Sequence, residues 1–180
     1  MRGFISITSG YTLEPFDAAS PYFDEVIRIY REAFGGEENA IRAFIARYAN
    51  TLPDWRGYVA LTGAHVAGMG FGTRSLPGQW WHDRVAVEIG ADHPALQDAW
   101  VLVDLAVRSA YRNRGIGAAL LETLLASQPC PRALLSTEVA NAGARRLYER
   151  NGWRYLHPGL VFTPGQQPFV VMGCAINSGE

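Results

Sequence analysis

Between Val101 and Leu125 the hydrophobic period of the chain changes once. Val101, Leu102, Val103, Leu105 and Val107 form an apolar, largely β-branched run broken by Asp104, which predicts a strand. Ile116, Leu120 and Leu124 then recur at i, i+4, i+8, which predicts a helix buried along one stripe. Upstream, loose alternation from Phe4 to Leu13 predicts a first strand. Ser20 before Pro21 predicts a helix start, Tyr22, Val26, Ile29, Tyr30, Ala33 and Phe34 its apolar face, and Gly35-Gly36 its end. A second helix carries Ile41, Phe44, Ile45 and Tyr48 and closes before Pro53. Tyr58–Leu61 and His65–Gly72 flank Thr62-Gly63-Ala64 as a hairpin. The glycines of its second strand permit close approach by another segment.

The stretch from Ser75 to Ala99 reads as the least regular, with room for a short strand or helix around Val85 to Ile89. Two readings stand for it. Trp80, Trp81, His82, Asp83 and Glu88 line a cleft, or the tryptophans anchor a loop on the core with the acids solvated. Downstream, Ala133–Thr137 predicts a buried strand parallel to Val101–Val107, because a helix joins them. Asn141 caps a helix bearing Ala144, Leu147 and Tyr148, which Gly152 closes. Further strands are expected to start at Trp153–Leu156, to begin at Gly159–Val161 and to lie at Phe169–Met172.

Composition narrows the class. A chain of 180 residues suffices for one well-cored domain and is short for two, so one domain over residues 1–180 is expected. A formal net charge of −1 offers nucleic acid or a membrane surface no general attraction. No apolar run approaches a membrane span and no signal-peptide pattern opens the chain, so a cytoplasmic protein is expected. Cys130 and Cys174 make no metal-ligand pattern, and His82 and His93 lack the spacing of a metal pair. No metal is expected.

Candidate chemistry enters at the joint between strand and helix. Arg112-Asn113-Arg114-Gly115-Ile116-Gly117-Ala118 is a basic, glycine-bearing turn that opens a helix. Such a turn presents unpaired N–H groups at the positive end of a helix dipole, a setting for a phosphate or pyrophosphate. A dinucleotide fingerprint would need a third glycine where Leu120 stands, and no Gly-Lys-Ser/Thr triplet of a phosphate-binding loop follows. What remains is Arg-x-x-Gly-x-Gly, read as Arg112, Gly115 and Gly117. Together with Asn141-Ala142-Gly143-Ala144-Arg145-Arg146-Leu147-Tyr148, it resembles the GCN5-related N-acetyltransferase (GNAT) family.

The resemblance implies a mixed α/β acyl-CoA acyltransferase fold. Its central sheet is mixed, mostly antiparallel and splayed between two parallel strands, with about four flanking helices. It implies acetyl-CoA as co-substrate and a primary amine as acceptor, joined by direct transfer in a ternary complex, in a monomer or homodimer. Carried over, the main chains of Leu105, Ala106 and Val107 pair with the pantetheine arm, and residues Arg112 to Ala118 hold the pyrophosphate. Asn141 and Ala144 touch the cofactor arm. Tyr148 takes the family's tyrosine position as general acid, since a phenol with an ordinary pKa of about 10 stays protonated at neutral pH. Asp104 is the leading candidate for base, with Glu138 its rival and Glu88 third. By the same resemblance the early helices border the acceptor, which gives Phe34, Tyr48 and Trp55 a functional reading beside a structural one. Transfer of another acyl group, or acyl-CoA sensing without turnover, are the alternatives, and the presence of Tyr148 and Asn141 speaks against sensing.

Overall fold

The computed structural model describes residues 10–176. In chain order its elements are β1 (Thr12–Pro15), α1 (Phe23–Phe34), α2 (Glu38–Thr51), β2 (Arg56–Thr62), β3 (His65–Ser75), α3 (Trp80–Ile89), β4 (Ala99–Val107), α4 (Ile116–Ser127), β5 (Arg132–Glu138), α5 (Ala142–Arg150), β6 (Arg154–Leu160) and β7 (Phe169–Ala175). This is the expected mixed α/β class, with seven strands and five α-helices among the described residues. The chain divides into two compact units, one of Met1–Gly72 with Asp104–Gln128 and the other of Thr73–Val103 with Pro129–Glu180.

In the first unit the strands follow the order β1-β2-β3-β4. The part of the first predicted strand at residues 4–9 lies outside the described residues, and the described strand begins at Thr12. The first helix starts at Phe23, two residues later than Pro21, because Ser20 is used in a turn. Its hydroxyl accepts from Tyr22 N at 3.2 Å and its carbonyl from Phe23 N at 3.1 Å. Gly35, at φ 76°, stops the helix as expected. Glu37 caps α2, its carboxylate accepting from Asn39 N and Ala40 N, and those two bonds hold its pKa below the usual value. Ile41 and Ile45 bury the apolar stripe of α2.

The hairpin closes through Gly63-Ala64, with Thr62 opposite His65 and a bulge between Ala60 and Leu61. The glycines of β3 do what their pattern suggested. A Cβ on Gly68 would lie 2.9 Å from the Ala106 carbonyl oxygen, and one on Gly70 would lie 2.9 Å from Cδ1 of both Leu105 and Leu124. Close approach by β4 and α4 therefore requires bare backbone there. Ala60, Ala67, Ile116 and Leu120 form the core beneath this contact, with Leu105 and Val107 packed on it.

In the second unit β4 is followed by β5, β7 and β6. Parallel pairing of β4 with β5 covers Ala99–Val101 against Arg132–Leu134 and ends there, although β4 runs on to Val107 and β5 to Glu138. β7 pairs antiparallel with β5 along its whole length and with β6 through two irregularities around His157. Val85, Leu96, Val101, Leu134, Leu160, Phe162 and Val171 belong to its core. The irregular stretch of the sequence contains a full helix, α3, which buries His82 and Val85. Trp81 stacks on Phe162 at 6.3 Å and donates from Nε1 to the Ser136 hydroxyl at 2.9 Å, so it anchors the helix. His82 is tied the same way, its Nδ1 2.9 Å from the Ser75 hydroxyl, and burial lowers its pKa.

Candidate active site

The first unit holds the glycine turn. β4 ends at Val107, and Arg108 is fastened at once: its N–H donates to Ala67 O at 2.9 Å and its guanidinium reaches Glu25, Glu32 and Val66 O. One 3₁₀ turn, Ser109–Tyr111, then leads into Arg112–Gly115. Asn113 and Gly115 both take positive φ, 59° and 78°, and Gly115 stands at the N-cap position of α4. No side chain caps the helix, and its first bond runs from Ala119 N to Gly115 O at 3.0 Å. The amides of Ile116, Gly117 and Ala118 therefore precede the ladder at the positive end of the helix dipole. No acid stands in the first turn to compete for them.

The arginines of this turn are exposed. Arg112 Nε donates to Val107 O at 3.1 Å, and Arg114 lies 5.5 Å over the Tyr111 ring while donating to Ala110 O. Bare amides, two mobile-length cations and no acid make a donor set that fits a pyrophosphate. Ala106 is buried, and Leu105 and Val107 are half-buried. The Leu105 and Val107 side chains pack on the core of this unit, which leaves main-chain groups as what this segment can offer a ligand.

Asp104 opens this unit's share of β4 and is half-buried. Leu105 turns toward α4, so alternation turns Asp104 to the opposite face. Phe71, next to Gly70 on the neighbouring β3, emerges on that same face. There α1 and α2 supply Tyr30, Phe44 and Tyr48, with Phe44 and Tyr48 at 6.5 and 6.4 Å from the Phe71 ring. Burial pushes the Asp104 carboxyl well above the usual carboxylate range. Burial also raises the Tyr30 phenol, and the charge of Asp104 raises it further. Tyr48 is raised chiefly by burial, pulled back by Arg47 and pushed up again by Asp104. A raised pKa makes the ionised form of Asp104 a stronger base toward an ammonium than an ordinary carboxylate.

Asn141, Ala144 and Tyr148 belong to the second unit. Asn141 and Ala144 meet as a helix cap, the Asn141 side-chain oxygen accepting from Ala144 N at 3.1 Å. Tyr148 is 6% exposed, its ring 5.7 Å from that of Trp153. Glu138 is exposed at the end of β5, and Glu88 is exposed with one oxygen 3.7 Å from His157 Nε2. Neither shares the buried surroundings of Asp104. Burial pushes the Cys174 thiol up to about 11, and Cys130 is buried, so neither is poised as a nucleophile. Among the described residues no group of three or more His, Cys, Asp or Glu side chains is arranged to hold a metal ion.

Sequence reasoning gave Tyr30 and Phe44 only a packing role and did not single out Phe71 or Arg108. The i, i+4 aromatic pairs Tyr30/Phe34 and Phe44/Tyr48 were the available signal.

Residues 23–153 match the sequence pattern of the Acetyltransferase (GNAT) family. The chain belongs to that family. Over 123 residues it is 31% identical to a GCN5-like protein acetyltransferase of Mycobacterium tuberculosis, a match covering 63% of this chain and 60% of that relative's length. Among solved GNAT-like structures, Arabidopsis thaliana NAA60 in complex with a bisubstrate analogue superposes with a TM-score of 0.66 at 20% identity, over 93% of this chain and 99% of the other. Salmonella typhimurium yncA with its cofactor acetyl-CoA gives 0.66 at 15% identity, over 96% and 97%. At those identities the likeness is one of fold.

Proposed function

We propose that this chain is one acetyltransferase domain that moves an acetyl group from acetyl-CoA to a primary amine by direct attack in a ternary complex. The single observation that carries this is the start of α4, where the amides of Ile116, Gly117 and Ala118 precede the helical ladder beside exposed Arg112 and Arg114. The family match, which runs through both units, supports treating them as one domain. The acetyl-CoA bound to the Salmonella relative and the protein-acetylating name of the mycobacterial one support the donor and the chemistry.

In this reading Arg112, Asn113, Arg114, Gly115, Ile116, Gly117 and Ala118 hold the pyrophosphate, while the main chains of Leu105, Ala106 and Val107 pair with the pantetheine arm. Asn141 and Ala144 contact that arm. Asp104 accepts the proton of the acceptor ammonium. The freed nitrogen forms a bond to the thioester carbonyl carbon and gives up its second proton to solvent, the carbon–sulfur bond breaks, and Tyr148 gives its proton to the departing thiolate and regains one from solvent.

Calorimetric titration with acetyl-, propionyl- and free coenzyme A, followed by thiol release with a panel of amines, tests the reading. Acetyl-CoA is expected to bind and to release thiol only when an amine is present. Gly117→Val sets a branched side chain beside the amides that the pyrophosphate needs and is expected to weaken acetyl-CoA binding at least tenfold. Native affinity in that variant removes the glycine turn as the site, and a clear preference for propionyl-CoA makes another acyl group the substrate.

A further inference from the structure

The unit that carries Asp104 also carries a sheet of aromatic rings, on and beside the helices that the resemblance sets against the acceptor, and the acetyl-transfer reading leaves that acceptor's chemistry open. Phe71 is fully buried and forms its base. Trp55 stacks on it at 5.2 Å, Phe44 packs 4.8 Å from Tyr48, and Tyr30 lies 6.0 Å from Phe44 and 4.9 Å from Phe34. Tyr30, Phe44, Tyr48 and Trp55 are half-buried and Phe34 is 51% exposed, so this sheet of rings is open to solvent on one side. Strand alternation brings the Asp104 carboxyl to the same face as Phe71.

Four acids of α1 and α2 are already paired. Glu25 and Glu32 are bound by Arg108, and Asp24 and Glu38 by Arg42. Arg47 lies 5.6 Å over the Tyr48 ring, so one ring face already holds a cation. Asp104 differs from those acids in having no ion pair among the described residues, and its charge acts on the Tyr30 and Tyr48 phenols of this face. An anionic acceptor would add a second negative charge to surroundings that already disfavour the first. A polycation would bring several charges out of water and find one carboxylate to meet them. A single ammonium on an apolar body satisfies both parts of the face: the charge meets Asp104, and the body lies on the rings.

We infer that the acceptor is a monocationic primary amine on an apolar or aromatic body, its ammonium at Asp104 and its body against Phe44, Tyr48 and Trp55. This rests on the acetyl-transfer reading and narrows its substrate.

Binding and turnover are measured separately. Calorimetry with and without coenzyme A compares phenethylamine with its neutral isostere 2-phenylethanol, with spermidine and with glutamate. Thiol release from acetyl-CoA is then followed for each amine. Phenethylamine is expected to bind at least tenfold more tightly than the other three. Asp104→Asn is expected to erase its advantage over 2-phenylethanol. Phe44→Leu, which keeps most of the packing volume and removes the ring, is expected to weaken phenethylamine severalfold while leaving acetyl-CoA affinity unchanged. Absent phenethylamine binding, equal or tighter binding of spermidine or glutamate, or an affinity that survives both substitutions overturns the inference. Binding of phenethylamine with no thiol release would instead sink the acetyl-transfer reading and leave the amine site standing.

Discussion

Arg108 meets Glu32 through two side-by-side hydrogen bonds, Nε to Oε2 at 3.0 Å and Nη2 to Oε1 at 3.1 Å. The remaining guanidinium nitrogen donates to Glu25 Oε2 and to Val66 O, both at 3.0 Å. One side chain at the exit of β4 thus binds α1 and β3 just before the glycine turn begins. Arg108→Ala is expected to cost about 1–2 kcal/mol in urea unfolding, less at high salt because Glu32 is half exposed. Arg108→Lys recovers little of it, since an ammonium cannot copy the planar fork. Equal stability of the alanine variant and the native chain would show the network to be idle.

Asp104 carries a stability cost with a definite pH signature. Its folded pKa lies above the ordinary carboxylate value, so the folded state holds a proton that the unfolded chain gives up. Folding stability attributable to this group is therefore greatest below about pH 4 and is lost as pH rises through the folded pKa, at about 1.4 kcal/mol per pH unit across the interval. Asp104→Asn is expected to melt higher than the native chain at pH 8 and to converge with it near pH 4. The same substitution should lower turnover most between the folded pKa of Asp104 and the pKa of the acceptor ammonium, since below the first the native carboxyl is itself protonated and above the second the amine is already free. A pH-independent difference in melting temperature would contradict the burial of this carboxyl.

Tyr148→Phe removes one hydroxyl from a ring packed on Trp153. If the phenol protonates the thiolate, kcat falls by roughly 10²–10⁴-fold with acetyl-CoA affinity and melting temperature unchanged. A purely structural tyrosine gives the reverse, a lower melting temperature with kcat intact. The measurement requires conditions in which chemistry limits the rate.

Two glycines make a pair of opposite sign. Gly68→Ala drives a Cβ to 2.9 Å from the Ala106 carbonyl oxygen, a backbone atom that cannot swing aside, and should cost about 1–3 kcal/mol. Gly143→Ala in the first turn of α5 meets nothing nearer than the Asn141 side-chain oxygen at 3.9 Å and should stabilise by up to about 1 kcal/mol. Thermal melts of both variants check the contrast.

Local patterns were legible and nonlocal ones were not. The change of period at Asp104–Gly117 marks a strand, a turn and a helix because each is written in consecutive residues. Asn141 reads as a cap for the same reason, and the structure puts its oxygen on Ala144 N. α3 was legible only as a short strand or helix around Val85 to Ile89, because Trp80 and Val87 are exposed while His82 is buried, which blurs the apolar stripe that identifies a helix. The start of α1 slipped because a serine can serve a turn as readily as a cap. The surroundings of Asp104 lie beyond any sequence window, since they depend on β3 and β4 being neighbours and on two helices lying across them.

Trp55 is the one tryptophan of its unit; Trp80, Trp81, Trp100 and Trp153 all belong to the other. Stacked on Phe71 at 5.2 Å, it gives the chain a native optical reporter. Subtracting the emission of a Trp55→Phe variant from that of the native chain isolates the light from the aromatic face alone. Occupancy there can then be followed without a label, and its loss on heating timed against the quenching of the other four indoles.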